Sequence, residues 1–523
     1  MATNLKIAPR KLISTNPATG ETLAELDCAS EQDVREAVAR ARSAQPKWRD
    51  LGIRKRVAVL EELQHVLCEN KSNLARLISR EVGKPYAEAL TTEAIVVLDS
   101  ARFYIDNAYR LLRNQPVPHG NLAMKQKSGH IVREPWGVVA IISPWNYPFA
   151  TPATESLAAM VAGNAVIVKP SEFTSLIMLE FADLLHRAGV PDEIFQVMVG
   201  DGATGAALIN AEIDKLIFTG SVSTGKRIGQ MAGARLLPVV LELGGKDPML
   251  VFEDAPIDVA SSAAVWGAFV NAGQACLSVE RCYVHRSIHD AFLGAVVNKT
   301  QRLRIGNGMN PEIDIGPMIH QRQLEIVEQH VEDAKNRGAR IVTGGTRLPT
   351  LGPNFYAPTV LTGVTHEMRI MREETFGPVL PIMAFDTEDE AIQLANDSEF
   401  GLGASIFIRD RARGEALARR IASGTVLIND VVCGFGISEA PHGGVKSSGI
   451  GRTHGSLGLE EMVNIKYIAS DRLPGMKKVW WFPYAAGFPR QIEGLLDMQF
   501  AGSLKQRVEG ALRSVGCLFG KRL

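Results

Sequence analysis

The sequence predicts an α/β fold built on parallel sheets, and two observations carry that expectation. Short apolar runs alternate with helical segments: GVVAIIS, NAVIVKP, FQVMVG, KLIFTG and LPVVLELGG as far as Gly245, then PMLVF, CYVHRS, RIVTGG, VLPIMAF, ASIFI and GTVLIND beyond it. Alternation of this kind needs crossover helices that return each strand parallel to the last. The chain is also 523 residues long, more than one core accommodates at about 150 residues per domain. The two sets of strands therefore predict two α/β domains.

Helices come first. From Ser30 to Arg113, stretches such as EQDVREAVARARSA and RVAVLEELQHVLCENKSNLARLI repeat apolar residues at helical spacing. Each run of the first strand set then ends in Gly, Pro, Ser or Asn, so polar residues gather at the carboxyl ends of strands, where open α/β sheets bind ligands. KLIFTG leads into SVSTGKRIGQMAG, a glycine-flanked turn that opens a helix and presents free N–H groups to an anion. Gly220 to Lys226 match the start of a triphosphate-binding loop, but Arg227 follows where that loop needs a hydroxyl on Mg²⁺. On this stretch alone, a phosphate-binding turn and an ordinary strand-to-helix turn both stay open. No internal repeat or low-complexity tract interrupts the pattern.

Bulk properties exclude several classes. Lys+Arg and Asp+Glu both total 57, which gives no electrostatic reason to expect nucleic acid as a partner. The charged fraction is 22% and the hydrophobic fraction 46%, ordinary for a globular chain. No apolar run approaches the roughly 18 residues a bilayer span needs, and MATNLKIAPRKL lacks the apolar centre of a secretory signal, so a cytoplasmic address is expected. The six cysteines, at 28, 68, 276, 282, 433 and 517, show no C-x-x-C spacing, and free thiols are expected. Of the eleven histidines only His285 and His289 stand four apart, and no metal site is expected.

The tail differs from the rest. From Arg472 to Leu523 there are nine Lys or Arg against three Asp or Glu, a net charge of +6. It opens with KKVWWFPY and closes with SLKQRVEGALRSVGCLFGKRL, where Leu504, Val508, Leu512, Val515 and Leu518 or Phe519 share one helical face. An aromatic cluster and a basic amphipathic helix are the ingredients of peripheral membrane contact. Aromatic anchors also serve subunit interfaces, and both readings stay open.

Chemistry is carried by PWNYP with Asn146, KPSE with Lys169 and Glu172, LELGGK with Glu242, GQACLSVER with Cys276, and EETFGPV with Glu374 and Phe376. Taken together and in this order, these motifs resemble the NAD(P)-dependent aldehyde dehydrogenase superfamily over nearly the whole chain to about Lys466. Physical reasons stand beside the resemblance. An aldehyde carbon donates hydride only after a nucleophile has made it tetrahedral, and a cysteine does this well. The resulting oxyanion needs pre-aimed donors, which the Asn146 amide and the Cys276 backbone N–H supply at about 3 to 4 kcal/mol each. Hydrolysing the thioester that follows needs a general base, the position Glu242 holds. The resemblance implies that a glutamate here goes with release of a free acid rather than transfer to coenzyme A.

The resemblance implies a Rossmann-type dinucleotide-binding domain over 1–119 and 133–244, an α/β catalytic domain over 245–447 and a small β oligomerisation element at 120–132 and 448–470, with 471–523 as an extension. It implies a catalytic set of Cys276, Glu242, Asn146 and Lys169. It implies a cofactor set of Lys169 and Glu172 at the adenosine ribose, the turn at Gly220, Ser221 and Gly225, and Glu374 with Phe376 at the nicotinamide end. Glu172 favours NAD over NADP, because a carboxylate accepts from a 2′-hydroxyl and repels a 2′-phosphate. A homodimer or homotetramer is implied. Cys282 is expected in the core, Cys433 at the substrate entrance or packed, and Trp145 and Tyr147 in the pocket or packed; His442 stands where many relatives carry an aromatic residue. The expected substrate is a hydrophobic aldehyde met at or near a membrane. A semialdehyde dehydrogenase of amino-acid or polyamine breakdown, and a silent binding relative, are the alternatives.

Overall fold

The computed structural model describes residues 10–121, 124–478, 480–484 and 486–518. The opening residues 1–9, Val479 of the aromatic cluster and Phe519 lie outside the described residues. The chain divides into two compact units: one runs to Leu112 and resumes over Glu134–Asn464, and the other comprises Arg113–Arg133 and the chain from Ile465 onward.

The larger unit contains two hydrophobic cores, each built on its own sheet. In the first sheet the order is Gly449–Ile450, Val239–Glu242, Lys215–Thr219, Val138–Ile142, Ala165–Lys169, Phe195–Val197. All neighbours are parallel except Gly449–Ile450, which pairs antiparallel with Val239–Glu242. Val138–Ile142 and Ala165–Lys169 are buried along their whole length, which is why they read as unbroken apolar runs: helices cover both faces of a parallel sheet. Val138–Ile142 has a later strand on either side. The crossovers therefore leave in opposite directions, and a crevice opens at the carboxyl ends.

The second sheet runs Arg340–Thr343, Thr359–Thr362, Val379–Phe385, Val279–His285, Asp247–Val251, Gly403–Phe407, Thr425–Ile428. The α/β class with parallel sheets is as the sequence predicts. In this sheet Arg340–Thr343 departs from it, pairing antiparallel with Thr359–Thr362, as Gly449–Ile450 does in the first. Thr359–Thr362 itself went unread, because four residues between Pro358 and Gly363 are too few to show a period.

Local signals fix the helices. Ser30 caps Glu31–Asp50 in a reciprocal box, with Asp33 N–H donating to Ser30 Oγ at 3.2 Å and Ser30 N–H donating to Asp33 Oδ2 at 2.8 Å. The long helix Ile53–Val82 stops at Gly83, whose φ of +87° suits glycine. A Cβ there would lie 2.5 Å from Pro317 Cγ, so the close approach requires glycine as well.

In the smaller unit Gln115–Val117 pairs antiparallel with Lys127–Pro135, which neighbours Val463–Asp471. The helices Phe488–Phe500 and Leu504–Leu518 pack on each other. Two glycines set their spacing, since a Cβ on Gly494 would meet Gly510 O at 2.7 Å and one on Gly510 would meet Gly494 O at 2.6 Å. Arg513 and Asp497 form an ion pair across the two helices. Leu504, Val508, Leu512 and Val515 remain exposed, as do Trp481, Phe482 and Tyr484.

Candidate active site

Asn146 sits on the loop that leaves Val138–Ile142, at the crevice of the first sheet. Its backbone is held by a charge pair. Lys84 and Glu93 meet at 2.7 Å with no side-chain exposure on either. Lys84 Nζ also donates to Asn146 O at 2.9 Å and lies 3.9 Å from the centre of the Tyr147 ring. Glu93 Oε2 accepts from the N–H groups of Phe149 and Ala150, both at 2.9 Å. A single π-turn at Leu90–Ala94 carries Glu93, a distortion common beside functional sites.

Cys276 follows a strained turn. Asn271 and Ala272 have φ of +52° and +56° and Gly273 has +73°; a Cβ on Gly273 would meet Gly377 O at 2.2 Å. The turn is fixed by hydrogen bonds, with Asn271 N–H on Glu88 Oε2 at 2.9 Å and Asn271 Nδ2 on Asn146 O at 3.0 Å. Asn146 Nδ2 donates to Gln274 O at 3.0 Å, so the amide is aimed at the cysteine loop. Burial pushes the Cys276 thiol up to about 12, assisted by the carboxylates of Asp247, Glu374 and Glu242. Cys276 precedes Val279–His285 and so lies at the amino edge of the second sheet, while Asn146 lies at the carboxyl edge of the first.

Glu242 ends Val239–Glu242, buried, with neither carboxylate oxygen hydrogen-bonded. Burial raises its pKa well above the carboxylate range, and Glu155 raises it further. The two glycines that follow close on the other motifs. A Cβ on Gly244 would lie 2.4 Å from Glu374 Oε2, and one on Gly245 would lie 2.6 Å from Cys276 O. Glu374 accepts from Gly245 N–H at 3.0 Å, and burial pushes it up to about 8. Phe376, at φ +50°, stands edge-on to Trp145 with ring centres 5.4 Å apart. A second buried pair, Lys246 with Glu280, anchors that segment, since Glu280 accepts from Thr375 and Phe376 N–H.

The turn after Lys215–Thr219 fits a dinucleotide. Ser221 caps the thirteen-residue helix Val222–Ala234. A Cβ on Gly225 would lie 2.3 Å from Leu243 Cδ2, so glycine lets the helix seat on the LELGGK loop; one on Gly220 would lie 2.6 Å from Phe218 Cζ. Lys169 ends Ala165–Lys169, donates to Gly200 O at 3.0 Å and lies 4.0 Å from Glu172 Oε2.

One cavity of about 560 Å³ brings most of these groups together. Asn146, Glu242, Cys276, Gly220, Ser221, Glu374 and Phe376 line it; Lys169, Glu172 and Gly225 do not. Trp145, Tyr147 and Cys433 are on its wall, whereas Cys282 is fully buried in the second sheet.

A model of the aldehyde dehydrogenase family matches residues 6–468. The chain belongs to the aldehyde dehydrogenase family. It is 41% identical over 502 residues to 4,4'-diapolycopene aldehyde oxidase of Methylomonas sp, a match covering 95% of this chain and 93% of that protein. It is 39% identical over 456 residues to a protein of Mycolicibacterium smegmatis proposed to be an NADP(+) succinate-semialdehyde dehydrogenase, covering 87% and 88%. The crystal structure of an NAD-dependent aldehyde dehydrogenase from Sinorhizobium meliloti superposes with a TM-score of 0.86 at 36% identity, covering 90% of this chain and 93% of that one. This aldehyde dehydrogenase is thus an oxidoreductase acting on aldehydes, of a family that uses NAD(P).

Sequence reading missed the residues behind the site: Lys84, Glu93, Asn271, Lys246, Glu280 and the cavity carboxylate Glu155. The last had a visible signal, a lone charge inside the apolar helix ATPATESLAAMVA. Removing one partner of the Lys84–Glu93 pair strands a buried charge. Glu93→Gln is expected to cost about 3–5 kcal/mol, read from urea unfolding; a change within 0.5 kcal/mol of zero would contradict the clamp.

Proposed function

We propose that this aldehyde dehydrogenase oxidises hydrophobic, medium- to long-chain aldehydes to free acids, with Cys276 as nucleophile, Asn146 as oxyanion donor, Glu242 as general base and NAD as cofactor. The observation that carries this reading is the cavity: Cys276, Glu242 and Asn146 open on it together, and its described lining residues include no Lys or Arg. A semialdehyde that bears its own carboxylate would find no counter-charge there, only Glu155, Glu242 and Glu374. Apolar walls such as Trp266, Phe435 and Ile437 suit an alkyl or polyene chain.

The Cys276 sulfur gives up its proton to solvent and bonds the aldehyde carbon, which turns the carbonyl oxygen into an oxyanion. Asn146 Nδ2 and the Cys276 N–H are the donors for that oxygen. Lys169, Glu172, the turn at Gly220, Ser221 and Gly225, and Glu374 with Phe376 would hold the dinucleotide. When bound, it supplies the carbon that accepts a hydride, and the adduct on Cys276 becomes a thioester. Glu242 then takes a proton from water as the new C–O bond forms and the C–S bond breaks. A carboxylate with both oxygens unpartnered has its lone pairs free for that proton.

The tail supports the substrate class. Its helix Leu504–Leu518 exposes Leu504, Val508, Leu512 and Val515, in a segment with net charge +6, which suits an anionic lipid surface in which such aldehydes dissolve. No helix among the described residues is long and apolar enough to cross a membrane, so the contact would be peripheral. The carotenoid aldehyde relative leaves only 5% of this chain outside its match, less than the length of the tail, so part of the tail has a counterpart there.

Three outcomes are expected. Cys276→Ala abolishes NADH formation, whereas Glu242→Gln keeps a single-turnover burst and slows steady turnover by about 10²–10⁴-fold. In the parent enzyme the hydrolytic step falls with acid at a pH above the ordinary glutamate value of about 4.3, because a raised pKa keeps Glu242 protonated until higher pH. Any NADH from the alanine variant would overturn the mechanism.

Glu172→Gln is expected to narrow the NAD over NADP preference in kcat/KM by about tenfold; an unchanged ratio would remove Glu172 from cofactor choice. For the substrate, rates should rise from hexanal to dodecanal and a retinal-like polyene aldehyde, with succinate semialdehyde poorest. The full chain should float with anionic liposomes and a truncation after Asp471 should not. Preference for the semialdehyde sinks the substrate reading, and equal flotation sinks the membrane one.

A further inference from the structure

Glu242 has a neighbour that the mechanism above leaves unused. His442 lines the same cavity, and its Nε2 stands 3.9 Å from Glu242 Oε2. Its backbone is pinned, because His442 and Thr453 exchange N–H···O bonds at 2.8 Å in both directions. Its ring stands edge-on to Phe435 at 5.0 Å and to His454 at 6.0 Å. The next residue brings the loop onto the carboxylate: a Cβ on Gly443 would lie 2.8 Å from Glu242 Oε1.

Both partners are buried, and neither His442 Nδ1 nor either Glu242 oxygen has a hydrogen-bond partner. Burial pushes His442 down to about 4, with Arg452 adding to the shift. The imidazole is therefore neutral at physiological pH and carries one N–H and one lone pair. Other charged groups act on the pair. Glu155 and Glu461 oppose ionisation of Glu242 and Arg452 favours it; His454 stands behind the His442 ring, and Cys276 shares the cavity.

We propose that His442 is a positioning residue for Glu242, its Nε2–H donating to one oxygen of the ionised carboxylate so that the other faces the hydrolytic water. A separation of 3.9 Å is longer than a hydrogen bond, and a rotation of the Glu242 side chain, which no other hydrogen bond restrains, closes it. A neutral donor stabilises the carboxylate against Glu155 and Glu461 without surrendering a proton to it. Phenylalanine would fill the same edge-on packing and supply no donor. The inference rests on Glu242 being the base.

The test is single-turnover breakdown of the acyl-enzyme against pH, for the parent, His442→Phe, His442→Gln and Glu242→Gln. Loss of one hydrogen bond to a charged group predicts that His442→Phe slows breakdown about tenfold near neutrality and moves the acid limb up by about one pH unit. The NADH burst should stay intact. His442→Gln, whose amide donates, should recover most of the rate and return the limb. An unmoved limb in the Phe variant, or a Gln variant as slow as the Phe one, overturns the proposal. His442→Leu carries the same comparison if the Phe variant does not fold. Glu242→Gln separates the two readings: breakdown at the parent rate would remove Glu242 as base, whereas loss there with no effect at His442 would remove only the positioning role.

Discussion

The buried pair of Lys84 and Glu93 is the constraint on which the site depends. Two opposite charges without solvent contact are tolerable only where further hydrogen bonds satisfy the remaining donors and acceptors, and here those bonds all go to one loop. Lys84 takes the Asn146 carbonyl, and Glu93 takes two consecutive N–H groups at Phe149 and Ala150. The Asn146 amide in turn donates to Gln274 O, two residues before Cys276. A charge pair supplied by the helical N-terminal region thus fixes the geometry between a loop of the first sheet and a loop of the second.

LELGGK joins what remains. Its backbone passes Glu374 on one side and the Cys276 carbonyl on the other, at separations a side chain would forbid at Gly244 and Gly245, and Leu243 packs under Gly225 in the turn after Lys215–Thr219. Motifs that are far apart in sequence are therefore in contact through one strand end. This is why the glycines, as much as the glutamate, make the motif informative: each marks a close approach by a different partner.

How much of this was legible follows from what each signal encodes. Buried parallel strands announce themselves as apolar runs, so ten of the eleven runs read in the sequence are parallel strands. RIVTGG is the exception, an antiparallel edge paired with Thr359–Thr362, a strand too short to read in the sequence. Cys276, Glu242 and Asn146 stand in recognisable motifs, and one cavity brings them together. Lys84, Glu93 and Glu280 were not legible, since a charged residue in a loop, a helical turn or at the start of a strand looks solvated until its partner is known. Lys169 and Glu172 lie off the cavity wall, which no motif spacing reveals. Nor does the expectation that open sheets bind at carboxyl ends extend to Cys276, which precedes its strand.

The electrostatics of the cavity bear on both ends of the reaction. Glu155, Glu242 and Glu374 share one wall-lined volume with no lysine or arginine among the described lining residues, and burial raises all three. In such a medium the ionised form of each costs more as the others ionise. A neutral aldehyde enters without meeting that repulsion. On the proposed mechanism the acid released from Cys276 is a new carboxylate in the same space, so its ionisation competes with that of Glu242 and favours its departure to water. On that proposal the arrangement disfavours anions twice, as substrates on entry and as products on release, and it does so without a residue dedicated to either task.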